Sequence, residues 1–376
     1  MGERVLVVGG ISRSLINFRG PLLDRLRECG HEVLAAAPED EHAPAVRKEL
    51  GEKGIELHTV PMARGGMNPL ADMETFRALR QLMREHRPTA VIAYTAKPVI
   101  YAGMAARSVG GIRFFPMITG LGYAFTEGGG LGRRVLQRVV RGLYRRGLAG
   151  ADMVIFQNPD DQALFQELGL VPSGASSVRV YGSGVDTERF PRQSMPDAPV
   201  FLMLARLLGD KGVREYAEAA RRVRAEFPQA RFMLAGPMDP NPAAINNDEL
   251  ERWLGEGAIE YLGALDDVQA ALRDCRFYVL PSYYREGTPR SVLEAMATGR
   301  PIITTDAPGC RETVEHGVNG LLVRPRDTAS LADAMREMLR MPDEAVARMA
   351  DESVRLVQER FDVRRVNESI LAATGL

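Results

Sequence analysis

Two carboxylates at either end of a glycine-containing turn carry the most specific chemistry in the chain. Glu286 opens the run Glu286-Gly-Thr-Pro-Arg-Ser-Val-Leu-Glu294, and Glu294 closes it. An apolar stretch, Phe277-Tyr-Val-Leu-Pro281, comes before it, and Pro301-Ile-Ile-Thr-Thr305 comes after. Thr288 is a good N-cap residue and Pro289 fits the first helical position. Val292, Leu293 and Met296 supply an apolar helical face, and Gly299 with Pro301 ends it. The pattern predicts a loop that opens a short helix between two buried strands. A helix start presents unpaired N–H groups and a partial positive charge, which suits a phosphate. Gly287, Thr288, Pro289, Arg290 and Ser291 would form that anion-facing tip. Carboxylates only accept hydrogen bonds, so Glu286 and Glu294 could each hold sugar hydroxyls. Taken alone, the two glutamates read first as solvated helix charges.

The rest of the chain must position that turn, and it alternates strand with helix. Arg4–Val8, Val33–Ala37, Leu57–Met62, Ala90–Tyr94, Phe114–Ile118 and Asp152–Gln157 read as short apolar strands. Leu70–Glu85, Pro98–Ser108 and Pro159–Leu168 read as helices. Val200–Leu204, Arg231–Ala235 with Gly236 after it, Ile259–Gly263 and Leu321–Arg324 continue the strands. Repeated βα units with continuously apolar strands predict parallel, doubly wound sheets. The loop Gly9–Gly20 lacks the G-x-G-x-x-G spacing, which disfavours dinucleotide binding. It still leaves the ligand end of the first strand, so Ser14 and Arg19 are candidates for phosphate or acceptor contacts. Helix capping and solvation explain either residue equally well.

Leu131–Leu148 places Leu131, Val135, Leu136, Val139, Val140 and Leu143 at helical spacing. Arg133, Arg134, Arg138, Arg141 and Arg145 cluster largely on the other side, with no acidic residue between. Such a basic amphipathic helix suits an anionic membrane surface. The alternative is a domain-surface helix with solvated arginines.

The pattern Glu-Gly-Thr-Pro-x-x-x-x-Glu-Ala-x-Ala-x-Gly-x-Pro-Ile-Ile resembles the E-x7-E signature of the retaining glycosyltransferases of family 4. The similarity covers essentially the whole chain. It implies the α/β GT-B architecture, two Rossmann-like doubly wound domains facing an interdomain cleft. It also implies that Glu294 binds the ribose of a nucleotide sugar and that Glu286 lies near the donor sugar. Arg206 and Lys211, in Ala205-Arg-Leu-Leu-Gly-Asp-Lys-Gly212, resemble the family's basic pair on the donor diphosphate. Similar stretches place the backbone after Gly263, at Ala264 and Leu265, beside the base, and Gly236 is a further donor-binding candidate. Thr119 stands where many members carry a histidine close to the donor sugar, and Thr119 with Gly120 are candidates for acceptor or phosphate contacts. The Thr119-Gly-Leu-Gly form is similar to a subgroup that builds capsule, O-antigen and bacterial N-glycan precursors. The resemblance thus implies transfer of an N-acetylhexosamine, N-acetylgalactosamine foremost, from a UDP-sugar to a polyprenyl-diphosphate-linked saccharide. A nucleotide-sugar 2-epimerase of the same fold, a transferase for another UDP-hexose, a phosphorylase or glycan synthase, and a non-catalytic sugar-nucleotide sensor are the alternatives.

Composition fits these readings. At 376 residues the chain suits two domains. Residues 1–192 are expected to bind acceptor and 193–360 the nucleotide sugar, with 361–376 a helix returning to the first domain. A net charge of -1 argues against general nucleic-acid binding. No apolar run approaches the ~20 residues of a membrane span. The N-terminus reads as a first strand rather than a secretion signal. Three cysteines without close pairing read as reduced thiols, and five histidines show no metal-ligand spacing. These features predict no metal or other cofactor and a cytoplasmic protein; the basic helix together with the resemblance implies a peripheral place on the inner membrane.

Overall fold

The computed structural model describes residues 2–63, 66, 68–121, 131–239, 241 and 244–376, with side chains from residue 134 onward in the segment that begins at 131. The chain divides into two compact units, residues 1–183 with 364–376 and residues 184–363. Each is an α/β unit built on one parallel sheet.

In the first unit, β1 (Arg4–Val8) leads through α1 (Ser12–Asn17) and α2 (Gly20–Glu28) to β2 (Glu32–Ala37). Then follow α3 (Ala43–Glu52), β3 (Glu56–Thr59), α4 (Pro69–His86), β4 (Ala90–Tyr94), α5 (Ala96–Val109) and β5 (Arg113–Ile118). α6 (Leu131–Leu148), β6 (Met153–Phe156), α7 (Pro159–Glu167) and β7 (Ser176–Arg179) complete the sheet. The strand order is β3-β2-β1-β4-β5-β6-β7. Side chains alternate between the two faces of such strands. Leu6, Val8, Val91 and Ala93 therefore enter one core cluster, while Val5, Val7, Ala90 and Ile92 enter the other. Helices cover both faces, which explains the unbroken apolar strands.

The second unit runs β8 (Val200–Leu204), α8 (Val213–Arg224), β9 (Arg231–Ala235), α9 (Asn247–Gly255) and β10 (Glu260–Tyr261). It continues with α10 (Gln269–Asp274), β11 (Phe277–Leu280), α11 (Arg290–Ala297), β12 (Ile302–Thr305), β13 (Gly320–Val323), α12 (Thr328–Arg340) and α13 (Asp343–Leu356). Its order is β10-β9-β8-β11-β12-β13. The last helix, α14 (Val363–Thr374), places Val366, Ile370 and Leu371 in the core of the first unit.

Several local expectations change. β3 stops at Thr59 rather than Met62, because Val60 makes the last backbone bond to Ala37 and Pro61 has no N–H to continue. β7, a half-exposed edge strand with two serines, had no apolar signal. The unit divide falls ahead of residue 192. There the Val185 N–H donates to Phe361 O at 2.8 Å, and Thr187 Oγ1 donates to Asp362 at 3.0 Å. Among the described residues, no helix is long and apolar enough to cross a membrane.

Candidate functional site

In an open parallel sheet, ligands bind beyond the carboxyl ends of the strands, where the strand order reverses. In the second unit that point lies between β8 and β11. The segments that leave these two strands carry Arg206, Lys211 and Glu286.

The two segments are fastened together. The Asp210 carbonyl accepts the N–H groups of Tyr283 at 3.0 Å and Tyr284 at 2.9 Å. Gly212 sits at φ +79°, where a Cβ would lie 2.2 Å from the Pro281 carbonyl oxygen, so only glycine lets the strands' exits press this close. Lys211 Nζ consequently forms an ion pair with Glu286 Oε1, both side chains being largely buried. The same ammonium stands 5.3 Å from the Tyr284 ring centroid. Ser282 Oγ donates to Glu286 Oε1 at 3.0 Å. Arg206 Nη1 donates to Asp239 Oδ2 at 2.6 Å; Asp239 is buried and Arg206 is half-exposed.

Gly236, at the end of β9, has φ +148°, and a Cβ there would meet the Ala205 carbonyl oxygen at 1.8 Å. Its N–H donates to Gly263 O at 2.8 Å, and its own carbonyl accepts Tyr261 OH at 2.7 Å. The exits of β8, β9 and β10 are therefore drawn together, with exposed Ala264 and half-buried Leu265 just beyond Gly263.

The start of α11 differs from expectation. Pro289, not Thr288, occupies the N-cap, with ψ 114°, and the helix begins at Arg290. Proline offers no side-chain acceptor, so the helix opens without a side-chain cap. Gly287 is buried beneath this turn, Thr288 is half-buried, and the buried Tyr278 phenol below donates to Leu204 O at 3.2 Å. One turn on, Arg290 Nε donates to Glu294 Oε1 at 2.9 Å. Burial pushes the Glu294 carboxyl up, while Arg290 and Arg189 pull it back toward ionisation. The ionised carboxylate accepts on both oxygens, whereas the acid turns one of them into an O–H donor. For a raised acid, the protonated form persists to higher pH, so ligand affinity should fall on acidification starting above the ordinary carboxylate range. Arg290→Leu should move that fall to still higher pH, as read by UDP titrations between pH 5 and 8. An unmoved profile would remove Arg290 from this role.

In the first unit, the corresponding reversal lies between β1 and β4. Ser14 belongs to α1 rather than a loop, with its hydroxyl 2.5 Å from Ile11 O and 2.8 Å from Tyr94 OH. Arg19 is buried, its guanidinium 5.0 Å from the Tyr94 ring centroid. The loop picture fails because Ser12 anchors the segment instead, with its N–H and hydroxyl both bonded to Asp40. Thr119 and half-buried Gly120, at φ +103°, directly follow β5; Gly122 lies outside the described residues. Sequence reasoning missed the largely buried Lys97–Asp72 pair, 2.8 Å apart at the starts of α5 and α4. It also missed Ser282 and the pairing of Arg206 with Asp239. No fixed spacing links such partners.

α6 corrects the two-sided picture of its helix. Val140 and Leu143 pack on the core, and Tyr144 and Leu148 are buried within it. Val135 and Val139 instead lie exposed beside exposed Arg134 and Arg138, with Arg141 half-buried; the Arg133 side chain lies outside the described residues.

Two parallel-sheet units, with cations and carboxylates at a strand-order reversal, define a protein of the GT-B class. Residues 198–341 match the family model described as "Glycosyl transferases group 1", and residues 19–184 match the "Glycosyl transferase 4-like domain". Between them they take up most of the chain, which belongs to the glycosyltransferases built from these two domains. It is 27% identical over 338 residues to the N,N'-diacetylbacillosaminyl-diphospho-undecaprenol alpha-1,3-N-acetylgalactosaminyltransferase of Campylobacter jejuni, covering 87% of this chain and 86% of that one. It is also 27% identical over 359 residues to the GDP-mannose-dependent alpha-(1-6)-phosphatidylinositol monomannoside mannosyltransferase of Mycobacterium tuberculosis, covering 90% and 88%. Among solved structures, HepE of Anabaena in complex with UDP-glucose aligns with a TM-score of 0.76 at 20% identity, over 99% of each chain.

Proposed function

We propose that this glycosyltransferase moves an N-acetylhexosamine from UDP to a saccharide carried on polyprenyl diphosphate, with N-acetylgalactosamine the first sugar to test. The observation that carries the reading is the meeting of Lys211 and Glu286 where the second sheet reverses its order, with Arg206 leaving the same strand end. Likeness to the Campylobacter enzyme supports the choice of transferred sugar and acceptor.

Lys211, Arg206 and the start of α11 would hold the donor diphosphate, and the Glu294 carboxylate its ribose hydroxyls. Gly236, Ala264 and Leu265 would line the base. Glu286 would orient the sugar as positive charge develops at C1. The acceptor hydroxyl oxygen forms the new bond to C1 on the face that the diphosphate leaves. The C1–O bond breaks, its electron pair goes to UDP, and the hydroxyl proton passes to the departing phosphate oxygen. The two cations stabilise that charge, so no metal is required. Ser14, Arg19, Thr119 and Gly120 are assigned to the acceptor side.

A panel of UDP- and GDP-sugars, each with and without a polyprenyl-diphosphate-linked saccharide and with EDTA present, tests this. The reading predicts UDP-N-acetylhexosamine consumed only with acceptor and regardless of EDTA. An epimerised free sugar, or a GDP-sugar consumed in its place, would contradict it.

The protein would act as a peripheral enzyme on the cytoplasmic face of the inner membrane, seated by α6. Exposed Val135 and Val139 among arginines support this. Basic residues near an anionic leaflet contribute up to about 1 kcal/mol each. Reversing Arg134 and Arg138 to Glu should therefore lower co-flotation with anionic vesicles at least about tenfold. Equal flotation of the variant and the parent would count against the seat.

A further inference from the structure

We propose that Ser282 is a positioning residue for Glu286, setting the direction of its carboxylate during transfer; this rests on the reading that Glu286 faces the donor sugar. Ser282 is fully buried at the exit of β11. Its backbone is held from behind, the carbonyl accepting Thr305 Oγ1 and lying 3.8 Å from Cys310 Sγ. Its hydroxyl has one proton and two acceptors within reach, Glu286 Oε1 at 3.0 Å and Asp210 O at 3.4 Å. The nearer acceptor is the oxygen that pairs with Lys211, and charge-assisted bonds are the stronger, so the proton goes to Glu286. The Asp210 carbonyl is already served by the Tyr283 and Tyr284 amides.

Lys211 and Ser282 thus converge on one oxygen with different effects. The lysine is a point charge on a flexible four-carbon stem, which neutralises the carboxylate without fixing its rotation. The serine is a short arm on a pinned backbone, which supplies direction. Without it, Glu286 keeps its charge partner but loses a short directional bond from a pinned backbone. That loss touches the sugar-orienting step and leaves the UDP contacts intact.

The test is a double-mutant cycle on UDP release from UDP-N-acetylgalactosamine in the presence of lipid-diphosphate acceptor, with calorimetric UDP binding alongside. Ser282→Ala should lower kcat roughly tenfold, the equivalent of one lost charge-assisted hydrogen bond, with the UDP Kd and donor KM within about twofold. In a Glu286→Gln background, Ser282→Ala should cost little more, because the group it aims is gone. Ser282→Cys, nearly the same size and a weak donor, should fall between, and serves if the alanine variant does not fold. An undiminished rate in Ser282→Ala, an equal loss in both backgrounds, or a weakened UDP Kd would overturn the proposal. A wild-type rate in Glu286→Gln alone would instead sink the role of Glu286, so the two failures are distinguishable.

Discussion

Glu286→Ala is expected to lower kcat for sugar transfer by roughly 10²–10³-fold, the range seen when one preorganised charge-stabilising group is lost. UDP affinity should change by less than about threefold, since on the proposed reading Glu286 faces the sugar and Lys211, its partner, stays in place for the diphosphate. The carboxylate is well placed for such selectivity. It is held on Oε1 by Lys211 and by Ser282, at the exit of a central strand. Water is largely excluded there, so its charge acts more strongly than on an open surface. A group that orients the sugar only as C1 becomes cationic should appear in kcat and not in ground-state binding. A parallel fall in UDP affinity would instead make Glu286 a binding residue.

Lys211→Met should be more damaging still, because it removes two things. On the proposed reading the diphosphate would lose a cation that opposes the charge growing on the leaving group, worth on the order of 10²–10³-fold in kcat/KM. Glu286, largely buried, also loses its charge partner. Breaking a buried pair from one side costs about 3 kcal/mol or more, because the remaining charge is uncompensated. A clear drop in thermal midpoint is therefore expected for Lys211→Met. The Lys211→Met/Glu286→Gln double variant should recover most of that stability and none of the activity. If the double variant melts as low as the single one, the pair is not what stabilises this turn.

The Glu286–Glu294 turn was legible because its signals are local. Glycine, proline and two glutamates fall within one short run between apolar strands, and Arg290 and Glu294 stand one helical turn apart. The sheets were legible for a related reason: a strand covered on both faces must be apolar throughout. What escaped was set by long-range packing. Arg206 meets Asp239 only because β8 and β9 are neighbours. Ser282 looks like any residue after a strand until the chain folds its hydroxyl toward Glu286. At the first strand, a segment with no strong helix signal becomes α1 because Asp40 binds its opening serine. The cap of α11 shifted by one residue, within the usual uncertainty of helix ends.

A calorimetric titration with UDP, repeated on Glu294→Gln and Arg206→Ala, tests the central claim most directly. The account predicts one saturable UDP site per chain, weakened about tenfold or more by either substitution through lost charge-assisted hydrogen bonds. The absence of any UDP binding, or binding that neither substitution weakens, would contradict it.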